Sequence, residues 1–349
     1  MRKKKTLAML GIIVSSALIL VMLSYTPFAL SAEVYKWKLQ SFMGPGTPTF
    51  DESLPEFIEN VRKMSKGRID ITLYPPGVLV PPFQLFQNVG KGVVEMGQDA
   101  GVYWMGFMPL GELVWGWPFT FQHAQELNGF YWQLGGMDIV RKAAAEHGVY
   151  VLINSAKNVY GGVNSVVPIK GLKDFNGLKV RTFSTFAKIM QRYGASTMSL
   201  PAGEIYTAMA TKVIDAATWG SPTDAASIKL HEIAKYYTMP PWMAQAPLVL
   251  EINLKTWQSL PDDLKAILQT AAIAYGPLDS MRNWSQDADV LNEWQQKHGV
   301  TVNWFSQEDL KQARKIALEL LDEKAKQDAY CAEFVALMKE SLKKFGYMD

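Results

Sequence analysis

The stretch that decides the fold runs from Gly171 to Pro222 and reads GLKDFNGLKVRTFSTFAKIMQRYGASTMSLPAGEIYTAMATKVIDAATWGSP. It places one arginine, Arg181, at the end of a strand-like run and follows it with an amphipathic helix and a Trp-Gly-Ser-Pro turn. The guanidinium group of an arginine is a rigid fork of donors that can hold a carboxylate through two parallel charge-assisted hydrogen bonds. The stretch therefore predicts a strand and a helix that present an arginine to a small organic anion.

Strand-like and helix-like patterns alternate before this stretch. Residues 34–42 are strand-like, the apolar residues between Leu54 and Met64 recur at helical spacing, and residues 69–73 alternate between apolar and polar as a strand does. A strand, a helix and a second strand in this order predict a parallel pair with a right-handed crossover. The predicted fold class is therefore α/β.

The same patterns predict further elements along the rest of the chain. Helices are expected over residues 83–91 and 124–147, and a buried strand over residues 149–153 crosses to a second lobe. A chain that crosses between lobes more than once forms a hinge beside a cleft, where small ligands usually bind. Past Pro222 we expect a helix through Ala234, a strand over residues 248–252, a helix that starts at Ser259 and Pro261 and extends past Tyr275 toward Lys297, and a final helical region from Ser306.

An apolar stripe near the carboxyl terminus comprises Phe334, Val335, Leu337, Met338 and Leu342. Spacing of this kind predicts a helix with one buried face. The face can dock on the chain's own lobe or on a second copy of the chain, and the sequence leaves both alternatives open.

The amino terminus has the layout of a secretory signal. Four basic residues, Arg2 to Lys5, precede a segment without charge that ends at Ala32. A basic start, an apolar middle and a small residue at the end predict that residues 1–32 are a signal peptide removed after Ala32, which places the mature chain in the periplasm. The alternative is a retained membrane anchor, because residues 7–23 are nearly long enough to span a bilayer.

Composition excludes several classes of protein. Four of the 35 Lys and Arg residues, and none of the 33 Asp and Glu residues, lie in residues 1–32, so the mature chain is close to neutral. No basic patch or nucleic-acid motif predicts binding to DNA or RNA. Cys331 is the only cysteine, so the chain has no intramolecular disulfide and no cysteine-based metal cluster. A length of 349 residues exceeds the usual size of one core and predicts two lobes.

No arrangement of residues predicts an enzyme. The four histidines lie far apart in the sequence, and none belongs to a metal-binding motif. Ser221 lacks the second glycine of a nucleophile elbow. The Gly44-Pro45-Gly46 turn is not a phosphate-binding loop, because no helix-opening Gly-Lys-Ser/Thr follows it. We therefore expect a binding protein without a cofactor.

Five segments in order resemble the solute-binding subunit of tripartite ATP-independent periplasmic (TRAP) transporters. The resemblance covers nearly all of the mature chain and is closest to the branch that binds 2-oxo acids and related monocarboxylates. Any one segment is a weak match, whereas all five in order behind a signal segment are specific. The segments are KMSKGRIDITLYPPGVLVPPFQLFQNVGKGVVEMG (63–97), YWMGFMP (103–109), GLKVR (177–181), LPAGEIYTAM (200–209) and IDAATW (214–219).

The resemblance implies a two-lobed α/β receptor with an interlobe cleft, a long hinge-spanning helix and carboxyl-terminal helices. We expect lobe I to comprise residues 33–157 and 246–285, and lobe II to comprise residues 158–245 and 286–349. Receptors of this family close on a ligand and deliver it to a small and a large membrane subunit. Related receptors include dimers that pair through carboxyl-terminal helices, which makes such a homodimer an open alternative to a monomer here.

Arg181 occupies the position at which the family's arginine grips the carboxylate of the ligand. Aromatic residues near the predicted cleft offer ring faces on which a ligand can stack, although core packing is the alternative role of each. The further residues expected at the ligand are Asn158, through a hydrogen bond, and Tyr103, Trp104, Trp219 and Trp242, through their rings.

Three positions depart from the 2-oxo-acid branch, in which a glutamine and two glutamates help to hold a cation beside the ligand. The matching residues here are Val159, Thr218 and either Met243 or Ala244, and none supplies a carboxylate. Hard cations such as Ca²⁺ need several oxygen ligands, usually including acidic ones. The sequence therefore predicts that this chain does not use the metal, and that its ligand is a carboxylate with an apolar or aromatic body.

Two other functions stay open beside that of a TRAP receptor for a carboxylate. One is a binding protein that serves an ATP-driven importer or a sensor kinase. The other is a TRAP receptor for a sulfonate, because sulfonate oxygens can accept hydrogen bonds from the same donors.

Overall fold

The computed structural model of the chain describes residues 33–157, 162–243 and 246–348. The predicted signal peptide, the predicted ligand contact Asn158, its neighbour Val159 and Ala244 lie outside the described residues. The chain divides into an amino-terminal unit, Met1–Tyr35, and a main unit, Lys36–Asp349, that contains the core. Within the described ranges, no helix is both long enough and apolar enough to cross a membrane.

The described residues contain eleven strands, which form two sheets. The strands are β1 (Tyr35–Ser41), β2 (Ile69–Tyr74), β3 (Met96–Asp99), β4 (Val149–Lys157), β5 (Val163–Ser165), β6 (Lys179–Arg181), β7 (Ser196–Met198), β8 (Ala216–Thr218), β9 (Tyr236–Met239), β10 (Ala246–Asn253) and β11 (Thr301–Trp304). The first sheet has the order β2-β1-β3-β10-β4, and the second has the order β11-β9-β5-β8-β6-β7.

Twelve α-helices of the described residues surround the two sheets. They are α1 (Leu54–Met64), α2 (Leu85–Gly90), α3 (Gly111–Val114), α4 (Ala124–Trp132), α5 (Gly136–Glu146), α6 (Ser184–Arg192), α7 (Ala202–Ala210), α8 (Pro222–Ser227), α9 (Leu254–Ser259), α10 (Asp262–Lys297), α11 (Gln307–Lys324) and α12 (Ala329–Lys344).

The chain passes between the two sheets several times. It leaves the first sheet after β4, builds most of the second sheet, returns with β10, and leaves again along α10 to add β11. In the first sheet, β1 lies between β2 and β3 and runs parallel to β3, whereas β10 runs antiparallel to both of its neighbours. The predicted α/β class is therefore confirmed.

The stretch from Gly171 to Pro222 folds as its sequence predicts. Strand β6 ends at Arg181 and lies between β7 and β8, to both of which it is parallel. Helix α6 follows three residues after Arg181 and buries Phe186, Ile189 and Met190 on one face. Because the carboxyl ends of parallel strands meet at one edge of a sheet, Arg181 and Thr218 lie close together there.

Three boundaries differ from the sequence-based expectation. The helix predicted over residues 124–147 is two helices, because Gly135 has φ +101° and a side chain at Gly136 would come within 2.7 Å of the Phe130 ring. The helix after Pro222 ends at Ser227. Ser259 ends the short helix α9, and the long helix starts at Asp262.

Ser306 is the N-cap of α11 as predicted, with its hydroxyl oxygen accepting a hydrogen bond from the Asp309 N–H at 3.1 Å.

The long helix α10 runs from the elements beside the first sheet to the elements beside the second sheet. It has 36 residues, contains Pro277, packs on β4 and α1 beside the first sheet, and packs on α8 beside the second. Near its carboxyl end, Trp294 stacks on His231 and meets the Tyr237 ring edge-on. This geometry matches the predicted hinge-spanning helix, whereas the exact lobe boundaries stay a prediction.

The apolar stripe of the carboxyl-terminal helix α12 docks on the chain itself. Helix α12 packs on α5, and the Phe334 ring lies 5.0 Å from the Phe130 ring and 6.1 Å from the Tyr131 ring. Phe334, Val335, Met338 and Leu342 are all buried in this contact region. These four residues are therefore covered within one chain, and a homodimer through the carboxyl-terminal helices stays a prediction.

Candidate ligand-binding site

A small cavity, here called the inner cavity, lies between segments that follow strands of the first sheet and segments that follow strands of the second sheet. Its inner part leaves about 20 Å³ to the centre of a water molecule, which is room for one or two water-sized groups. The wall is almost wholly apolar and draws on the segments after β1, β3, β6 and β8 and on β10 itself. The lining residues are Phe42, Met43, Ala100, Val102, Tyr103, Trp115, Phe183, Trp219, Gly220, Asp224, Ala246 and Leu248.

A larger outer cavity adjoins the inner one. It leaves about 280 Å³ to the centre of a water molecule and shares Phe42, Tyr103 and Trp219 with the inner cavity. Much of the rest of its wall is proline, namely Pro45, Pro75, Pro76, Pro82 and Pro201. A ligand that reaches the inner cavity therefore has space for the remainder of its body in the outer one.

Aromatic rings meet edge-on around the inner cavity. The Tyr103 ring lies 5.7 Å from the Phe42 ring, 4.7 Å from Phe83 and 5.6 Å from Phe183. The Phe42 ring also lies 6.4 Å from the Trp219 ring. Edge-to-face contacts at these distances are the favoured geometry of aromatic pairs. These ring contacts connect Phe42 and Tyr103, which follow strands of the first sheet, to Phe183 and Trp219, which follow strands of the second sheet.

Arg181 is fully buried behind this aromatic wall. Its Nε and Nη2 donate to the carbonyl oxygen of Leu200 at 3.0 and 2.8 Å, and its Nη1 donates to the carbonyl oxygen of Thr218 at 2.5 Å. The guanidinium carbon lies 4.2 Å from the Phe183 ring centroid and 5.4 Å from that of Trp219. Arg181 is not itself among the cavity-lining residues, so its predicted contact with a carboxylate stays a prediction.

Trp219 lines both cavities, and its ring centroid lies 5.4 Å from the guanidinium carbon of Arg181. Its side chain is 4% exposed, and among the described residues its indole N–H has no hydrogen-bond acceptor. A buried donor left without an acceptor costs about 1 to 3 kcal/mol.

The other two predicted tryptophans lie away from this cavity. Trp104 is buried against Phe86, with ring centroids 4.6 Å apart, and its indole N–H donates to Asp99 Oδ2 at 3.3 Å. Trp242 stacks on Phe186 at 5.5 Å and borders a separate groove. Both have the core-packing role that was the alternative for each aromatic residue, and neither is supported as a ligand contact.

The positions that match the family's metal ligands do not suit a hard cation. The Thr218 hydroxyl donates to Thr182 Oγ1 at 2.9 Å, and its carbonyl oxygen accepts from Arg181. Met243 is buried and offers only a thioether sulfur, which is a poor ligand for Ca²⁺ or Na⁺. Among the described residues, no group of three or more His, Cys, Asp and Glu side chains is placed to hold a metal ion.

Two buried carboxyl groups lie behind the cavity in the first sheet. Asp99 precedes the lining residue Ala100, whose N–H donates to Asp99 Oδ1 at 2.8 Å. Glu251 lies on the same face of the neighbouring strand, and its carboxyl oxygens have no hydrogen-bond partner among the described residues. Burial raises the pKa of Asp99 to about 7, and burial together with the nearby Asp99 raises the pKa of Glu251. We conclude that this pair retains at least one proton near neutral pH.

A buried ion pair fixes the segment that follows Arg181. Glu112 in α3 lies 2.7 Å from Lys324 Nζ at the end of α11, and both side chains are at most 5% exposed. The hydroxyls of Ser184 and Thr185 donate to Glu112 Oε1 at 2.5 and 3.1 Å. Burial alone would raise the pKa of Glu112, but the charge of Lys324 and these hydrogen bonds hold it below the ordinary value.

Sequence reasoning missed several residues that line the inner cavity. Phe183 was detectable, because it lies two residues after Arg181 on the same run, but Phe42 and Trp115 gave no signal apart from being aromatic. Asp224 lines the cavity as well, and its Oδ2 accepts a hydrogen bond from the Ser221 N–H at 3.0 Å. The Ser-Pro-Thr-Asp sequence at residues 221–224 is a recognisable helix start, which is the signal that could have placed Asp224 here.

Comparison with known proteins identifies the family. The sequence profile of the family described as "Bacterial extracellular solute-binding protein, family 7" matches residues 40–328. A monocarboxylate 2-oxoacid-binding periplasmic protein of Nostoc sp. strain PCC 7120 is 29% identical over 300 residues, which cover 81% of this chain and 79% of that protein.

Solved structures of TRAP periplasmic solute-binding proteins have the same fold. One from Pseudoalteromonas atlantica, with bound sodium and pyruvate, superposes with a TM-score of 0.83 at 26% identity and covers 90% of this chain and 95% of that one. Another from Rhodoferax ferrireducens, with bound malonate, has a TM-score of 0.79 at 25% identity and covers 89% of this chain and 100% of that one. The predicted two-lobed fold is therefore confirmed, and these neighbours are receptors rather than enzymes.

Proposed function

This chain belongs to the bacterial extracellular solute-binding protein family 7, and from that premise we propose that it is the receptor of a TRAP transporter for a small monocarboxylate with a compact apolar body. The observation that carries the proposal is the position of Trp219, which lines both the inner and the outer cavity and whose buried indole N–H has no acceptor among the described residues. The guanidinium carbon of Arg181 lies 5.4 Å from the Trp219 ring centroid, which supports Arg181 as the source of positive charge near the carboxylate.

The size of the inner cavity restricts the ligand. Its 20 Å³ accommodates a methyl-sized group but not an aromatic ring in this conformation. The carboxylate would then lie at Trp219, and any larger body would extend into the outer cavity. Of the two bodies that the sequence predicts, the inner cavity supports a compact apolar one, whereas an aromatic body would have to lie in the outer cavity.

Binding without a metal ion is the second part of the proposal. Sodium accompanies pyruvate in the Pseudoalteromonas protein, whereas the positions of the family's metal ligands correspond here to Val159, Thr218 and either Met243 or Ala244. The hydrogen bonds of the Thr218 hydroxyl and carbonyl oxygen support this part of the proposal, because both groups already have partners. We therefore expect the positive charge beside the carboxylate to come from Arg181.

Calorimetric titration with pyruvate and with branched short-chain monocarboxylates tests the proposal. Affinity should be the same with added Ca²⁺ or Na⁺ and with EDTA. Replacement of Trp219 by Phe removes one hydrogen bond to a charged acceptor and should weaken binding by about 1.5 to 3 kcal/mol. Arg181→Lys should weaken it by a similar amount, because an ammonium group cannot reproduce the fork that spans Leu200 and Thr218.

The matched control is Trp304→Phe, which changes a tryptophan that is 62% exposed on β11 and lies outside both cavities. Its affinity should equal that of the unchanged chain. Binding that requires a metal, or a Trp219→Phe variant with unchanged affinity, would contradict the proposal. A sulfonate that binds more tightly than every carboxylate would favour the sulfonate alternative.

Delivery of the ligand to a small and a large membrane subunit is the role that family membership supports. Uptake of the labelled ligand by cells that contain the receptor with and without those two subunits tests this step. Uptake that needs an ATP-binding subunit instead would favour the importer alternative.

A further inference from the structure

Phe183 contacts both the inner cavity and the buried guanidinium group of Arg181. It lines the inner cavity but not the outer one, and its side chain is 4% exposed. Its ring centroid lies 4.2 Å from the guanidinium carbon, which is closer than the 5.4 Å of the Trp219 ring. A cation at this distance is attracted by the face of an aromatic ring. The Phe183 ring therefore takes up space that adjoins both the inner cavity and a buried positive charge.

Neighbouring rings and the following residue hold Phe183 in place. Its ring meets the Tyr103 ring at 5.6 Å and the Phe83 ring at 6.3 Å, both edge-on. The next residue, Ser184, donates a hydrogen bond to the buried Glu112 carboxylate at 2.5 Å. Side chains packed on several sides stay in one rotamer and leave few voids. The position of the Phe183 ring, and with it the size of the inner cavity, is therefore fixed by packing.

We propose that Phe183 determines the specificity of the site, because its ring occupies the place beside Arg181 that the aromatic ring of a ligand would otherwise take. The inference rests on the proposed function, in which a carboxylate binds near Trp219. With Phe183 present, the inner cavity has room for a methyl-sized group. Replacement of Phe183 by alanine removes the ring and leaves an apolar space of the same shape. The ring of an aryl carboxylate fits that space and can make the same contact with the guanidinium group.

The role of Phe183 is separable from the roles of the other rings at the site. Phe42, Tyr103 and Trp219 line both cavities, so replacement of any one of them changes the inner and the outer space together. Replacement of Phe183 changes the inner cavity and leaves the lining of the outer cavity as it is. A change in selectivity that follows from Phe183 alone therefore reports on the space beside Arg181.

Isothermal titration of the unchanged chain, Phe183→Ala and Phe183→Leu with isobutyrate and with phenylacetate tests the proposal. The ratio of the two dissociation constants should shift toward phenylacetate by at least about tenfold in Phe183→Ala, because pocket size discriminates apolar groups by factors of this order. Phe183→Leu keeps a buried apolar side chain and should shift the ratio by about threefold. The ratio is informative because a loss of folded protein weakens the apparent binding of both acids equally. If the alanine variant does not fold, the leucine variant decides.

The matched control is Phe83→Ala, which removes a ring from the same aromatic cluster but from outside the lining of both cavities. Its ratio should equal that of the unchanged chain. An unchanged ratio in both Phe183 variants, in a chain that binds isobutyrate, would overturn this inference and leave the proposed function standing. An equal shift in Phe83→Ala and Phe183→Ala would overturn it as well, because loosening of the cluster would then explain the shift. An unchanged chain that binds no carboxylate would overturn the proposed function and this inference together.

Discussion

The structure buries carboxyl groups in two places and stabilises them in different ways. One is Glu112, which is paired with Lys324, and the other is the pair of Asp99 and Glu251. Glu112 is compensated by the Lys324 ammonium group and by two hydroxyl donors. Asp99 and Glu251 lie on the same face of the neighbouring strands β3 and β10 and retain a proton instead. A buried carboxyl group is thus stabilised either by a cation, which makes it insensitive to moderate pH, or by protonation, which makes stability depend on pH.

The largest expected effect comes from removal of the cation. Lys324→Met leaves the Glu112 carboxylate buried without a counter-charge and should lower the free energy of unfolding by about 3 to 5 kcal/mol. Urea unfolding monitored by tryptophan fluorescence measures the change. The double variant Glu112→Gln, Lys324→Met should recover most of the loss, because no buried charge remains.

The matched control for this variant is Lys297→Met, which breaks an exposed pair with Glu293 on α10. Exposed pairs contribute about 0 to 1 kcal/mol, so little change is expected. Equal losses for Lys297→Met and Lys324→Met would show that burial of the Glu112 pair does not determine its contribution.

The second effect is a pH dependence that comes from Asp99 and Glu251. Their pKa values are raised in the folded chain, so the folded state is favoured below the ordinary carboxyl pKa, and stability is lost as pH rises through the folded pKa, about 7 for Asp99. The free energy of unfolding should therefore fall from about pH 4 to pH 7, by at most about 1.4 kcal/mol per pH unit for each proton. Urea titrations across this range should show less slope for Asp99→Asn and Glu251→Gln.

Asp70→Asn on β2 is the control for the pH series, because Asp70 is exposed. Its pH profile should follow that of the unchanged chain. A flat profile for the unchanged chain between pH 4 and pH 7 would contradict the assignment of a retained proton to Asp99 and Glu251.

The smallest effect concerns Ser184, which donates to Glu112 and has φ +59°. Ser184→Ala removes a hydrogen bond to a charged group and should cost about 1.5 to 3 kcal/mol of stability. Ser184→Gly removes the same bond but relieves the left-handed backbone conformation, so it should be more stable than the alanine variant by about 1 kcal/mol. Thermal unfolding of both variants measures the difference, and a glycine variant less stable than the alanine variant would exclude backbone strain at Ser184.

Local patterns were enough to predict most of the fold. Alternation and helical spacing located β1, α1, β2, the Arg181 strand and the cap of α11, because each depends on neighbours within a few residues. The break at Gly135 was missed, since its cause is the close approach of Gly136 to the Phe130 ring rather than a pattern in the helix. The extent of β10, buried at all eight positions, depends on its place between β3 and β4.

The candidate site was predictable only in part. The resemblance between short segments pointed to Tyr103 and Trp219, which line the cavity, and to Arg181, which lies close to the Trp219 ring. Nothing in the sequence distinguishes these aromatic residues from Trp104 and Trp242, because which ring reaches a cavity is decided by packing among distant segments. The same holds for Glu112 and Lys324, whose partnership has no local signature.

The central place of β10 has a consequence for the order in which the chain can fold. Residues 35–157 supply four strands of the first sheet. The fifth strand, β10 (residues 246–253), lies between β3 and β4 and pairs with both, so β3 and β4 have no link to each other until β10 is in place. A chain that emerges from its amino terminus therefore keeps both of these strand edges unpaired until its residue 253 has been made. Such a chain completes its first sheet only late in its synthesis.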